Sequence, residues 1–121
     1  MTRLIVQSLV LAVLFALWTW RLCSPIPDDL RAGMNATGEP FLVAKTAHVL
    51  GYALLAALAA TLPVPRRWRV GLLVVLVLHG VATEVIQTYV PGRTGKVADV
   101  FIDWAGVTLG AVIARFRTRR P

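Results

Sequence analysis

The chain has 121 residues, 57% of them hydrophobic, and a mean hydropathy of +0.69. Soluble domains hold about 45–50% apolar residues, so an ordinary soluble domain is excluded. The formal net charge of +7 raises a nucleic-acid reading. The basic residues, however, stand in short clusters at the ends of apolar runs and form no recognisable nucleic-acid module, which argues against it.

The first run, Leu4 to Leu22, has no acidic residue and no charge before Arg21. As a signal peptide it would need small residues at a cleavage site. Trp18-Thr-Trp-Arg-Leu follows instead, so a retained helix is expected, with Trp18 and Trp20 in an interfacial aromatic belt. Cys23 is the only cysteine, which excludes an internal disulfide and a four-cysteine zinc site. The stretch from Ser24 to Phe41 holds three prolines, two glycines, Asn35 and three acids, and reads as irregular or as a short surface segment. A connection that long is often functional, as an active-site lid is.

Three further runs follow. Ala44 to Leu62 carries only Lys45 and His48, and Pro63-Val-Pro65 stops it. Val70 to Val90 carries only His79 and Glu84, and Pro91-Gly92-Arg93-Thr94-Gly95 turns the chain. Val97 to Ile113 carries only Asp99 and Asp103. A span needs about 20 mostly apolar residues, with about 17 the lower limit, so each run is long enough. The expected fold is all-α: one polytopic membrane domain over residues 1–121, with four transmembrane helices near 4–22, 44–62, 70–90 and 97–113.

Charge sets the orientation. Arg3, Arg66, Arg67, Arg69, Arg115, Arg117, Arg119 and Arg120 fall on one side of a four-span chain, with no acidic residue among them. The positive-inside rule places that side, and both termini, in the cytoplasm. The arginines there read as topology signals and contacts to anionic lipid.

Charged groups inside hydrocarbon are costly, at least about 2.5–3.5 kcal/mol each on insertion scales, and are functional or paired. Lys45, His48 and Tyr52 share one face of the second helix at i, i+3, i+7. Glu84 and Gln87 share a face of the third. Asp99 and Asp103 share a face of the fourth, which continues as Gly106-x-x-x-Gly110, a close-packing stripe that turns both acids into the bundle. At 1.5 Å per residue, Tyr52, Glu84 and Asp103 all lie roughly 10–12 Å below the outer ends of their helices. Lys45, His48, Glu84, Arg93, Asp99 and Asp103 are therefore expected to converge in one polar pocket near the outer surface. His79, about 140° around from Glu84, reads as a satisfied buried histidine bonded to Thr83 or a backbone carbonyl.

These residues resemble a known family. Lys45-Thr-Ala-His48-Val-Leu-Gly-Tyr52, Glu84-Val-Ile-Gln87-Thr-Tyr-Val-Pro91-Gly-Arg93 and Asp99-Val-Phe-Ile-Asp103-Trp-Ala-Gly106-Val-Thr-Leu-Gly110 resemble the VanZ-like pattern over Lys45 to Ile113. Asp103 stands where that family usually has Asn, which adds a negative charge. The resemblance implies a multi-pass protein of the bacterial cytoplasmic membrane, in a family whose founding member is associated with low-level teicoplanin resistance. Some members carry a phosphotransbutyrylase label, a soluble acyl-transfer chemistry that suits a buried, outward-facing site poorly.

For chemistry, no Ser or Cys nucleophile stands near His48 in the pattern. A metal site from His48, Glu84, Asp99 and Asp103 matches no named spacing, and Lys45 and Arg93 would oppose a dication, so neither a metal nor a cofactor is expected. A two-Asp hydrolase would use carboxylates on facing elements, whereas Asp99 and Asp103 share one helix. Anion recognition fits better. Lys45 and Arg93 would hold a phosphate or carboxylate, and His48 would act as acid or base, oriented by Glu84 or Asp99. The catalytic candidates are thus His48, Glu84 and Asp99, and the ligand-binding candidates Lys45, Tyr52, Gln87, Arg93 and Asp103. The partner would be a membrane lipid or lipid-linked envelope intermediate. The competing reading is a non-catalytic helical module whose ion pairs serve structure or partner binding.

Overall fold

The computed structural model describes residues 1–118; Arg119 and Arg120, two of the eight arginines that set the expected orientation, lie outside the described residues. Five helices follow one another: α1 (Thr2–Cys23), α2 (Asp28–Ala36), α3 (Pro40–Ala60), α4 (Arg66–Gln87) and α5 (Val97–Thr118). All but α2 are long and apolar enough to cross a membrane. The helix ends differ from the apolar windows, α3 and α4 starting before theirs and stopping at Ala60 and Gln87, short of Leu62 and Val90, because hydropathy marks the length inside hydrocarbon and not the length of the helix. Thus α3 begins at Pro40, in the first turn where proline is tolerated, and α5 runs on through Arg115 and Arg117.

The Ser24–Phe41 stretch holds the short helix α2, with Asp28 and Asp29 in its first turn, where negative charge suits the helix dipole. It packs on α3. No residue of α2 is buried, so it lies on the surface.

The outward faces of the long helices are apolar. Leu9, Val13 and Leu17 on α1, Leu50 and Leu54 on α3, Val74 and Leu78 on α4, and Val112 and Ile113 on α5 are all exposed. Water would not tolerate so continuous an apolar surface, whereas hydrocarbon covers it. The chain is a multi-pass membrane protein by this arrangement.

The tightest contact is between α3 and α5. The pairs Lys45–Asp99, His48–Asp103, Val49–Gly106 and Ala53–Gly110 advance together along both helices, so the two run parallel. Gly106 and Gly110 bring the backbones together: a Cβ at Gly106 would stand 2.6 Å from the Val49 carbonyl oxygen. The expected close-packing stripe is present. Opposite it, α4 runs antiparallel to α5, with Trp104 Nε1 donating to the Val77 carbonyl at 3.0 Å.

The first helix lies across α3 and α4. Near its start, Gln7 Nε2 donates to Thr61 Oγ1 at 2.9 Å and to the Leu58 carbonyl at 3.2 Å. Near its end, Trp18 departs from the expected interfacial belt. Its ring lies on Gly51 of α3, where a Cβ would come within 2.5 Å of it. The ring stands edge-on to Tyr52 and His48, and its Nε1 is buried without a partner among the described residues. Trp20, by contrast, is exposed. The missing side chain at Gly51 is what draws one tryptophan inward.

Candidate functional site

Asp99 and Asp103 sit one turn apart on the face of α5 that meets α3, and each takes one partner there. Lys45 forms an ion pair with Asp99. The His48 Nδ1 stands 2.7 Å from Asp103 Oδ1. A carboxylate accepts, so Nδ1 carries the hydrogen and donates. The residue that orients His48 is therefore Asp103, not Glu84 or Asp99, because its position one turn deeper on α5 matches the depth of His48 on α3.

Glu84 enters from α4. Its Oε2 accepts from the Lys96 backbone N–H at 2.9 Å. Gly95 makes that reach possible, since a side chain there would collide with the Glu84 carbonyl oxygen. Ligand atoms of His48, Glu84 and Asp103 all lie within 4.8 Å of one another. Four buried side-chain atoms lack a hydrogen-bond partner among the described residues, and three belong to this cluster and its flank: Glu84 Oε1, Asp103 Oδ2 and Gln87 Nε2. Gly80, one turn before Glu84, leaves room for Asp103, whose Oδ2 would lie 3.4 Å from a Cβ placed there.

Tyr52 continues the stripe inward but faces another partner. Its hydroxyl is 2.9 Å from His79 Nδ1 and 3.3 Å from Thr83 Oγ1. His79 Nε2 is 2.9 Å from Thr19 Oγ1, which itself donates to the Phe15 carbonyl at 2.7 Å. The Thr19 hydrogen is thus spent, so His79 Nε2 donates and its Nδ1 accepts from Tyr52. That makes His79 a neutral, doubly satisfied histidine, as expected in kind. Its side-chain partners are Thr19 and Tyr52 rather than Thr83, because Thr83 lies one turn along the same helix and bonds back to the His79 and Gly80 carbonyls.

Arg93 is not brought to the carboxylates. Val90-Pro91-Gly92-Arg93 is a turn closed by Arg93 N–H to the Val90 carbonyl at 3.1 Å. Gly92 there has φ +75°, the conformation the third residue of a type II turn requires. The turn aims the guanidinium at α1. Nε donates to the Ser24 carbonyl and Nη2 to the Arg21 carbonyl, both at 2.6 Å. Burial, and next the charge of Arg21, hold the Arg93 pKa below its ordinary value. Carbonyls at a helix C-terminus lack intrahelical partners and favour a cation, so Arg93 caps α1. Sequence spacing could not reveal this role, since the partners lie about seventy residues away. Arg93→Lys keeps the charge but loses the planar two-point grip. It is expected to loosen α1, read as faster proteolysis within Arg21–Asp29, while Lys45→Arg should leave that region protected.

The cluster is closed at its floor. Asp103 is fully buried, and Glu84, Gln87 and Asp99 are 3–5% exposed. The rim is Lys45, whose side chain is 17% exposed and whose Nζ lies 5.0 Å from the Phe41 ring centre. Two apolar grooves lie away from it, one along Leu11, Phe15, Trp68 and Leu72 and the other along Leu17, Trp20 and Leu54.

No curated protein and no solved structure matches the chain. The VanZ/LLP1 family model matches residues 3–118, nearly the whole chain and every helix described above. With its four apolar spans and its Lys-His, Glu-Gln and Asp-Asp stripes, the chain belongs to the VanZ/LLP1 family.

Proposed function

We propose that this is a bacterial cytoplasmic-membrane protein, a single domain over residues 1–121 with both termini in the cytoplasm, that binds or modifies an amphiphile at the outer face. The amphiphile would carry an anionic head, most simply a phosphate, as a phospholipid or lipid-linked envelope intermediate does. One observation carries the reading: a His48–Asp103 pair beside Glu84, with two carboxylate oxygens buried inside a membrane bundle and unpartnered among the described residues. Such groups are costly unless they are used.

In this reading Lys45 at the rim meets the anionic head, and Asp99 holds Lys45 in place. His48, with Nδ1–H bonded to Asp103, acts as acid or base, and Glu84 stands by as its neighbour. Tyr52 and Gln87 line the inner wall. Arg93 acts on the site through the seating of α1, and its anion contact is limited to what the two carbonyls leave free. A role in teicoplanin tolerance would follow if the amphiphile were a cell-wall precursor.

The pairing itself favours a second reading. Lys45–Asp99 and His48–Asp103 each tie α3 to α5, as a purely structural network would. The test is His48→Gln and Glu84→Gln, followed by membrane protein level and cross-linking to a diazirine-bearing phosphatidic acid or polyprenyl phosphate. Wild-type level with lost cross-linking supports the lipid site. Lost protein, or unchanged cross-linking at full level, supports the structural module.

A further inference from the structure

The objection to a metal was that Lys45 and Arg93 would repel it. Neither faces the inner cluster. Lys45 is taken by Asp99, Arg93 is held on carbonyls of the α1 end, and the exposed Lys96 contributes only its backbone N–H. What remains is His48, Glu84 and Asp103, from three different helices, with two carboxylates that no lysine or arginine side chain among the described residues touches as an ion pair.

We propose that His48, Glu84 and Asp103 bind a divalent transition-metal cation between α3, α4 and α5. Two independent observations carry it. First, the three side chains offer one ligand atom each, and these lie within 4.8 Å of one another. Metal–ligand distances of about 2.0–2.2 Å put bound ligand atoms about 3–4 Å apart, so the closing motion is about an ångström. Second, Glu84 Oε1 and Asp103 Oδ2 are buried without a partner among the described residues, in side chains only 4% and 0% exposed. The other oxygen of each acid is already engaged, by Lys96 N–H and by His48. Glu84 is thus held as ligating carboxylates are, with one oxygen fixed by a hydrogen bond and the second free; at Asp103 the cation would take the place of the hydrogen between His48 Nδ1 and the carboxylate, so that both ligate it.

One imidazole and two carboxylates suit Zn²⁺ or Mn²⁺ better than a softer ion, for which thiolate would be needed. Asp99 is outside the set, because its partner is Lys45. Gln87, on the same face of α4 as Glu84 and also buried, with an amide nitrogen unpartnered among the described residues, flanks the site. The proposal does not rest on the lipid reading: a cation here would brace the three helices even if no amphiphile bound.

The experiment uses the full chain purified in detergent with an affinity tag that has no histidine. The protein is stripped with EDTA, equilibrated separately with Zn²⁺ and Mn²⁺, desalted and assayed by elemental mass spectrometry. Wild type should retain about one ion per chain of at least one of them. Glu84→Gln and Asp103→Asn should each lower affinity by more than the about 10–100-fold that loss of an outer-shell partner costs, while Glu39→Gln, in the loop before α3, should match wild type. Retention by wild type no higher than a protein-free blank for both metals overturns the proposal, as does full retention by both variants. Should the variants fail to fold, wild type decides alone by X-ray absorption at the zinc edge. Nitrogen and oxygen scatterers including one imidazole support the site, and a sulfur scatterer, which only Cys23 or a methionine would supply, overturns it. Because this readout is metal content, its failure leaves the cross-linking test of the lipid site untouched.

Discussion

Asp99→Lys is expected to remove most of the folded protein. Asp99 is buried on α5 and its partner Lys45 is mostly covered, so the substitution leaves two cations facing each other at a helix interface. Breaking a buried pair typically costs about 3–5 kcal/mol, because the surviving charge has no compensation. The double variant Lys45→Asp with Asp99→Lys restores opposite signs across the same gap and should recover part of the loss, since contacting sites couple by about 0.5–3 kcal/mol. Sequence spacing alone would have paired Asp99 with Arg93 equally well. The structure separates the two: Arg93→Glu with Asp99→Lys should recover nothing, because Arg93 is seated on α1. Fluorescence-detected size exclusion and detergent melting curves of the three variants beside wild type decide it. A single Asp99→Lys that melts like wild type, or a Lys45 swap no better than the single variant, would refute the assigned pairing.

Most of the fold was legible because the bilayer simplifies the rules. A span must be long, apolar and helical, so four runs in the sequence became four long helices. The i, i+4 spacing of Asp99 and Asp103, continued by Gly106 and Gly110, correctly turned the acids into the bundle, since small residues and acids both belong inside; that the helix they meet is α3 comes from the structure. Partner identity was less legible. Spacing gives the face of a helix but not the rotation of its neighbours, so His48 was assigned to Glu84 or Asp99 when its hydrogen bond goes to Asp103. Arg93 was misplaced for a related reason: its direction is set by a proline-glycine turn and the end of α1, and neither enters a helical-periodicity argument. Trp18 shows the same limit. Its inward turn depends on the hollow at Gly51, a residue that carries no pattern signal of its own.

The depth of the site also rests on packing that glycine alone permits, and this gives the second large effect. At Gly110, one added methyl would meet the Ala53 carbonyl oxygen, with its carbonyl carbon at 2.8 Å and its Cα at 2.9 Å. All three are backbone atoms of α3, which no side-chain rotation moves aside. Gly110→Ala must therefore push α5 away from α3, and overpacking of that kind costs about 1–3 kcal/mol. Gly71 supplies the internal comparison. It also lies within a membrane helix, but a methyl there meets nothing within 4 Å, so Gly71→Ala should change stability by no more than about 0.5 kcal/mol. Gly106→Ala should fall between them, since the Val49 carbonyl oxygen is close but one of its other two neighbours is the Tyr52 side chain. The site should respond as well. Asp99 and Asp103 ride on the same face of α5, so an outward shift at Gly110 lengthens their reach to Lys45 and His48. Gly110→Ala is accordingly expected to lower both the melting temperature and the cross-linking of the anionic lipid probe, whereas Gly71→Ala alters neither. Equal melting curves for the two alanine variants would mean that α3 and α5 do not meet backbone to backbone, and the pairing of the acids across that seam would lose its foundation.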